Sequence, residues 1–153
     1  MPKKRFKLIA EVYLILVRRN QILLLKRQNT GYEDGRYSFI AGHVEEKEPL
    51  TKAIMREVKE EAGIKIKKRD LSLVHIMHRN NHDSSDERIG FFFKATKWQG
   101  NITNMERNKC AELKWFSLKR LPQNIIPYIK KAISNYEQRI LYSEDGFEDE
   151  TTN

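Results

Sequence analysis

Apolar residues in this chain fall into short blocks, and their spacing switches between strand-like and helix-like periods. Residues 6–17 and 22–26 are apolar runs separated by Arg18-Arg19-Asn20-Gln21, which predicts a β-hairpin. Residues 28–36, QNTGYEDGR, are polar with two glycines and predict a loop. Tyr37–Ile40 reads as a short strand, with Phe39 directed into the core by alternation. Leu50, Ile54, Val58 and Ala62 then recur every four residues and predict an amphipathic helix from Pro49 to Gly63. Strands follow at 71–79, 88–97 and 111–116. A last helix over 125–140 carries Ile126, Ile129, Ile133 and Tyr136 near one face. The order β-β-β-α-β-β-β-α predicts an α+β domain with helices packed on a mixed sheet.

The 153 residues suffice for one domain with a substantial core, expected over residues 1–142. No apolar run approaches a membrane span, and no signal-peptide core follows the basic start MPKKRFK. The single cysteine, Cys110, excludes an intrachain disulfide and suits a reducing compartment, so a cytoplasmic protein is expected. The net charge of +8 hides an asymmetry. Residues 143–153 are an acidic tail with five carboxylates, expected to be disordered. Without those five, 29 basic residues face 16 acidic ones, and the body carries +13. Such a body attracts nucleotides and RNA alike; a merely lysine-rich surface is the plainer explanation.

The chemistry concentrates in residues 42–64, GHVEEKEPLTKAIMREVKEEAGI. On a helix Glu57, Glu60 and Glu61 stand at i, i+3 and i+4 and share one face. Three carboxylates so close repel one another unless cations neutralise them. Hard divalent metals take oxygen ligands and combine carboxylates with substrate phosphates. The alternative is a solvated, charged helix ending at a glycine cap. That alternative does not require Gly42, Glu48 and Arg56 at their spacing.

The stretch resembles the Nudix box, Gx5Ex7REUxEExGU with U aliphatic, at every specified position: Gly42, Glu48, Arg56, Glu57, Val58, Glu60, Glu61, Gly63 and Ile64. The resemblance to MutT-like Nudix hydrolases implies an α/β/α sandwich and Mg²⁺-dependent cleavage of a nucleoside diphosphate linked to some moiety X, with Mn²⁺ the alternative metal. It implies metal binding by Glu57, Glu60, Glu61 and the Ala41 carbonyl. Glu57 or Glu61 would activate water, and Arg56 would pair with Glu48 to hold the loop on the helix. Ala41 stands where the family usually has glycine, which narrows the backbone there. A further carboxylate from a later loop is expected, Glu112 first and Glu106 second, though each also suits an ordinary surface acid.

The segment Asn104-Met105-Glu106-Arg107-Asn108-Lys109-Cys110, followed by Trp115, is similar to the Asn-x-Glu-Pro-x-Lys-Cys stretch of Nudix enzymes acting on purine nucleoside triphosphates, including oxidised ones. Arg107 replaces the usual proline. This implies hydrolysis of such a triphosphate to monophosphate and pyrophosphate. Removal of a 5′ diphosphate from RNA is the alternative, and a non-catalytic nucleotide-binding domain is a third reading. Tyr32 and Tyr37 are candidates to line a base pocket, His43 to touch a phosphate, and Glu106 to contact substrate. His75, His78 and His82 do not make a zinc site on this reading, because alternation puts the first two on opposite faces and no cysteine pair completes the set. Oligomeric state is not encoded in any of these patterns.

Overall fold

The computed structural model describes residues 2–80 and 86–147. The apolar run of β1 (Ile9–Arg18) alternates so that both its faces are buried. Val12, Leu14 and Leu16 face one hydrophobic cluster, and Tyr13 and Ile15 face the other. β2 (Gln21–Arg27) repeats this with Leu23 and Leu25 on the first side and Ile22 and Leu24 on the second. The hairpin between them closes through Arg19 and Asn20, both at positive φ (47° and 62°), the conformation that matches a tight turn to strand twist.

The expected strand at 37–40 divides into β3 (Tyr37–Ser38) and β4 (Ile40–His43). β3 pairs with β2, whereas β4 pairs with β1, so the chain crosses from one half of the sheet to the other at Phe39. β5 (Ser72–Asn80), β6 (Glu87–Ala95) and β7 (Cys110–Ser117) follow. Among the described residues the sheet has eight strands in the order β3-β2-β1-β6-β5-β8, with β4 on β1 and β7 on β2. β1 runs parallel to β6, and β5 parallel to β8; the other pairings are antiparallel.

Helix α1 (Leu50–Ala62) lays Ala53, Ile54, Val58 and Ala62 on the first face of the sheet. It stops at Gly63, which adopts the left-handed conformation (φ 68°) and donates its N–H to Lys59 O. Helix α2 (Pro127–Glu137) covers the other face with Ile129, Ala132 and Ile133. It starts later than expected, with Pro127 in the first turn where a missing N–H costs nothing, and it stops short of Arg139, which stands at positive φ (59°). Burying a side chain such as Ile54 or Val58 stabilises the sandwich by about 1.5–3 kcal/mol. The result is the mixed-sheet α/β/α sandwich.

One expectation needs correction. The tail from residue 143 does not leave the fold at once: β8 (Tyr142–Asp145) is an edge strand on β5. His75 explains the docking. Its Nδ1 meets Ile140 O and its Nε2 meets Ser143 Oγ, both at 2.8 Å, and Lys131 Nζ donates to Glu144 O. Fully buried, His75 finds its hydrogen bonds in this segment. His75 and His78 do lie on opposite faces; His82 and residues 148–153 lie outside the described residues.

Candidate active site

Arg56 organises the box. Its Nε donates to Glu48 Oε2 at 2.8 Å and its Nη2 to Glu48 Oε1 at 3.0 Å, a two-pronged pair. Its Nη2 also reaches His43 O, while Nη1 holds Glu57 Oε1 at 2.7 Å. One guanidinium thus ties the loop after β4 to the first turns of α1 and orients Glu57. The pairing holds the Glu48 carboxyl below its usual range.

Ala41 donates its N–H to Glu61 Oε2 at 3.1 Å, so β4 and α1 meet at this carboxylate. Ala41 is not among the residues at positive φ and pairs in register with Tyr13, so its methyl sits in ordinary strand backbone. Gly42 is different. A Cβ there would overlap the Glu57 carboxylate, so the absent side chain makes the cradle into which Glu57 fits.

Glu106 completes the acidic cluster. Its loop docks on the end of α1 through Thr103 N to Ala62 O and Met105 N to Glu61 O. Asn104 braces it, accepting from Glu106 N and donating to Cys110 O. Burial, then the charges of Glu57 and Glu106, push the Glu61 carboxyl well above its usual range. Burial likewise raises Glu57, against the pull of Arg56. Among the described residues no three such side chains yet close around one point. Their oxygen-only chemistry, their mutual repulsion and the Gly42 cradle nevertheless fit a hard divalent cation.

Glu57, Glu61, Glu106, Ala41, His43 and Tyr32 all line a cleft of about 710 Å³. Arg56 and Glu48 brace it without lining it, and three further expected residues, Glu60, Glu112 and Tyr37, do not line it either. Glu60 is half exposed and shares Arg56 from outside. Glu112 points to the α2 face, because Leu113 and Trp115 beside it face α1. There it accepts from the Tyr37 hydroxyl, and burial, then this pairing, pushes the tyrosine up to about 12. Tyr37 is therefore core, packed edge-on against Phe116, and takes no part in the cleft.

Several cleft residues escaped the sequence reading. Glu11 Oε1 accepts from Arg79 Nη2 at 3.3 Å and from the Tyr13 hydroxyl at 3.3 Å. Glu11 Oε2 accepts from Arg88 Nη1 at 3.1 Å, with His43 Nε2 at 3.6 Å. The Arg79 guanidinium lies 3.9 Å from the Tyr128 ring centroid. The signal was there: Glu11 interrupts an apolar strand on the face of Tyr13 and Ile15, and a carboxylate at a buried position requires partners.

A family model, the NUDIX domain, matches residues 7–136. The chain belongs to the Nudix family. It is 29% identical over 104 residues to an 8-oxo-dGTP diphosphatase of Proteus vulgaris, covering 67% of this chain and 87% of that one. It is 44% identical over 59 residues to the NAD-capped RNA hydrolase NudC of Shigella flexneri, a match spanning 39% of this chain but only 23% of that protein. Among solved structures, a MutT NUDIX hydrolase from Burkholderia pseudomallei superposes with a TM-score of 0.78 at 25% identity, covering 84% of this chain and 98% of the other. A NUDIX hydrolase from Nitrosomonas europaea gives 0.76 at 21% identity, covering 89% and 93%. The Nudix fold therefore spans most of the chain. No helix among the described residues is long and apolar enough to cross a membrane.

Proposed function

We propose that this Nudix protein is a divalent-metal-dependent pyrophosphohydrolase that cleaves a purine nucleoside triphosphate, oxidised forms included, to the monophosphate and pyrophosphate. The observation that carries this is the gathering of Glu57, Glu61 and Glu106 at one end of the cleft, an excess of negative charge that Arg56 alone does not balance. Glu57, Glu61 and Glu106, with the Ala41 carbonyl and with Glu60 at the margin, are the groups to hold Mg²⁺, or Mn²⁺ in its place. When bound, the metal neutralises phosphate charge and lowers the pKa of a coordinated water.

Water attacks phosphorus, the phosphoanhydride P–O bond breaks, and the water proton passes to a carboxylate. Glu57 and Glu61 are the acceptors in reach of the cleft. Arg56 fixes Glu57 through Oε1, and Ala41 N–H fixes Glu61 through Oε2, which leaves Glu57 Oε2 and Glu61 Oε1 to take a proton. Arg27 and Lys109 on the cleft wall supply positive charge for the outer phosphates. The Asn104–Cys110 motif and the similarity to an 8-oxo-dGTP diphosphatase support the purine triphosphate.

A second reading is a 5′-pyrophosphohydrolase of RNA. Lys3, Lys4, Arg5 and Lys7 run directly into β1, whose Ile9 pairs with Arg88 at the cleft rim. The similarity to an RNA cap hydrolase points the same way. The test is a Mg²⁺-supported screen of plain and oxidised nucleoside triphosphates, sugar nucleotides, dinucleoside polyphosphates and triphosphorylated RNA, following monophosphate and pyrophosphate release. Fastest turnover of a purine triphosphate supports the first reading. Tight binding of one compound with turnover of none would leave a binding domain instead.

A further inference from the structure

The cleft has two chemically different ends. Away from the metal-binding carboxylates, Arg79 and Arg88 share Glu11, and Asp86 also lines the wall, so two arginines and two carboxylates meet in this part of the cleft. What remains is aromatic. Tyr13 lies flat, stacked on Phe92 at 4.4 Å, and a Cβ at Gly90 would approach its ring to 2.8 Å. Tyr128 backs the Arg79 guanidinium, whose side chain is only 7% exposed. Tyr32 stands on a loop braced by Asp34, which accepts from Thr30 and Gly31, and by Arg27, which donates to Tyr32 O. Tyr32, Arg79 and Tyr128 line the same cleft. Flat surfaces with a mixed donor and acceptor rim suit a neutral planar ring.

Arg88 is the group with capacity to spare. Both its contacts, to Glu11 and to His43, use Nη1. Its Nε is buried with no partner among the described residues. A guanidinium offers donors only. A 6-oxopurine presents two acceptors, O6 and N7, on one edge, whereas a 6-aminopurine puts an amine in place of O6.

We propose that the Glu11–Arg79–Arg88 cluster is the nucleobase subsite of the cleft, with the exposed Tyr32 ring as its stacking surface and Arg88 selecting a 6-oxopurine over a 6-aminopurine. Glu11 is a positioning residue that holds both guanidinium groups. The inference rests on the nucleotide reading above, but its test does not depend on turnover.

Inosine and adenosine triphosphates differ at the C6 edge, and equilibrium dialysis with Mg²⁺ and their non-hydrolysable α,β-methylene analogues gives dissociation constants alongside that of inorganic pyrophosphate. Wild-type protein is expected to prefer ITP by about tenfold, the scale of one good guanidinium–base contact. Arg88→Lys should bring the ratio near one while pyrophosphate affinity holds. Tyr32→Leu, at an exposed loop position, should weaken both nucleotides equally and spare pyrophosphate. Equal wild-type affinities, a ratio unchanged in Arg88→Lys, or parallel loss of both nucleotides and pyrophosphate in that variant would each overturn the assignment. A clear ITP preference with no hydrolysis of either nucleotide would keep the subsite and remove the hydrolase.

Discussion

Three single residues carry most of the site's geometry: Gly42, Arg56 and Glu61. At Gly42 a methyl would meet the far end of the Glu57 side chain, not backbone. Glu57 is a side chain that can swing away, so Gly42→Ala is expected to cost the fold about 1 kcal/mol, the low end for an inserted methyl, while displacing the carboxylate that the chemistry requires. Thermal melts near wild type with kcat down by about 100-fold would fit a misplaced group at the reacting centre. A lowered melting temperature with intact kcat would contradict it. Glu61→Gln removes the charge but keeps the Ala41 contact through a neutral oxygen. It should abolish Mg²⁺-dependent turnover; retained turnover would refute Glu61 as a ligand or base. Residue-scale legibility was uneven. The box named Glu57 and Glu61 because helical spacing is rigid. Glu112 was chosen for its place just before Trp115, and it does not line the cleft. Alternation with Leu113 and Trp115 already put Glu112 on the wrong side for α1. Glu106 reached the site instead through Asn104, a loop brace that no periodicity reports.

Among the elements, β8 differs most from what the sequence suggested. Its composition is that of a solvated tail, and its four residues lack an apolar alternation. It is held by partners distant in sequence: the β5 edge and both nitrogens of His75. Such pairing leaves no local signature, whereas α1 and α2 announce themselves through their own apolar stripes. The His75 contacts have a pH consequence. Burial lowers the His75 pKa below its usual 6.5, with Lys131 adding to the effect and Ile140 O opposing it. The unfolded chain then binds the proton more readily than the folded one. Stability is therefore complete above the unfolded pKa and is lost as pH falls from about 6.5 towards the folded value, by at most about 1.4 kcal/mol per pH unit. Urea midpoints should stay level from pH 8 to 7 and decline below 6.5. His75→Gln should lose overall stability yet flatten that decline. An equal slope in the variant would assign the acid sensitivity elsewhere.

At the scale of the whole molecule, charge separates the two substrate readings. The folded body carries a large positive excess, and its basic N-terminal segment Lys3, Lys4, Arg5 and Lys7 enters β1 at the rim of the cleft beside Arg88. An exposed cation acts on a long polyanion through screened attraction and counterion release, whereas a free nucleotide inside the cleft lies beyond its reach. For a nucleoside triphosphate, raising the salt should therefore lower kcat/KM modestly through encounter, leave kcat level, and give the same slope when those four residues are changed to glutamine. For triphosphorylated RNA the fall should be far steeper, at up to about 0.7 in log affinity per log salt for each phosphate neutralised on a single strand. The glutamine variant should remove much of that steepness. If RNA shows no more salt dependence than the nucleotide, the segment does not track a polynucleotide and the nucleotide reading stands alone. If only RNA is turned over and the variant loses it selectively, the order of the two readings is reversed. The box and the cleft chemistry are common to both outcomes, because the bond broken is the same. What the ionic-strength series decides is whether X ends at the cleft or continues along the protein's basic rim.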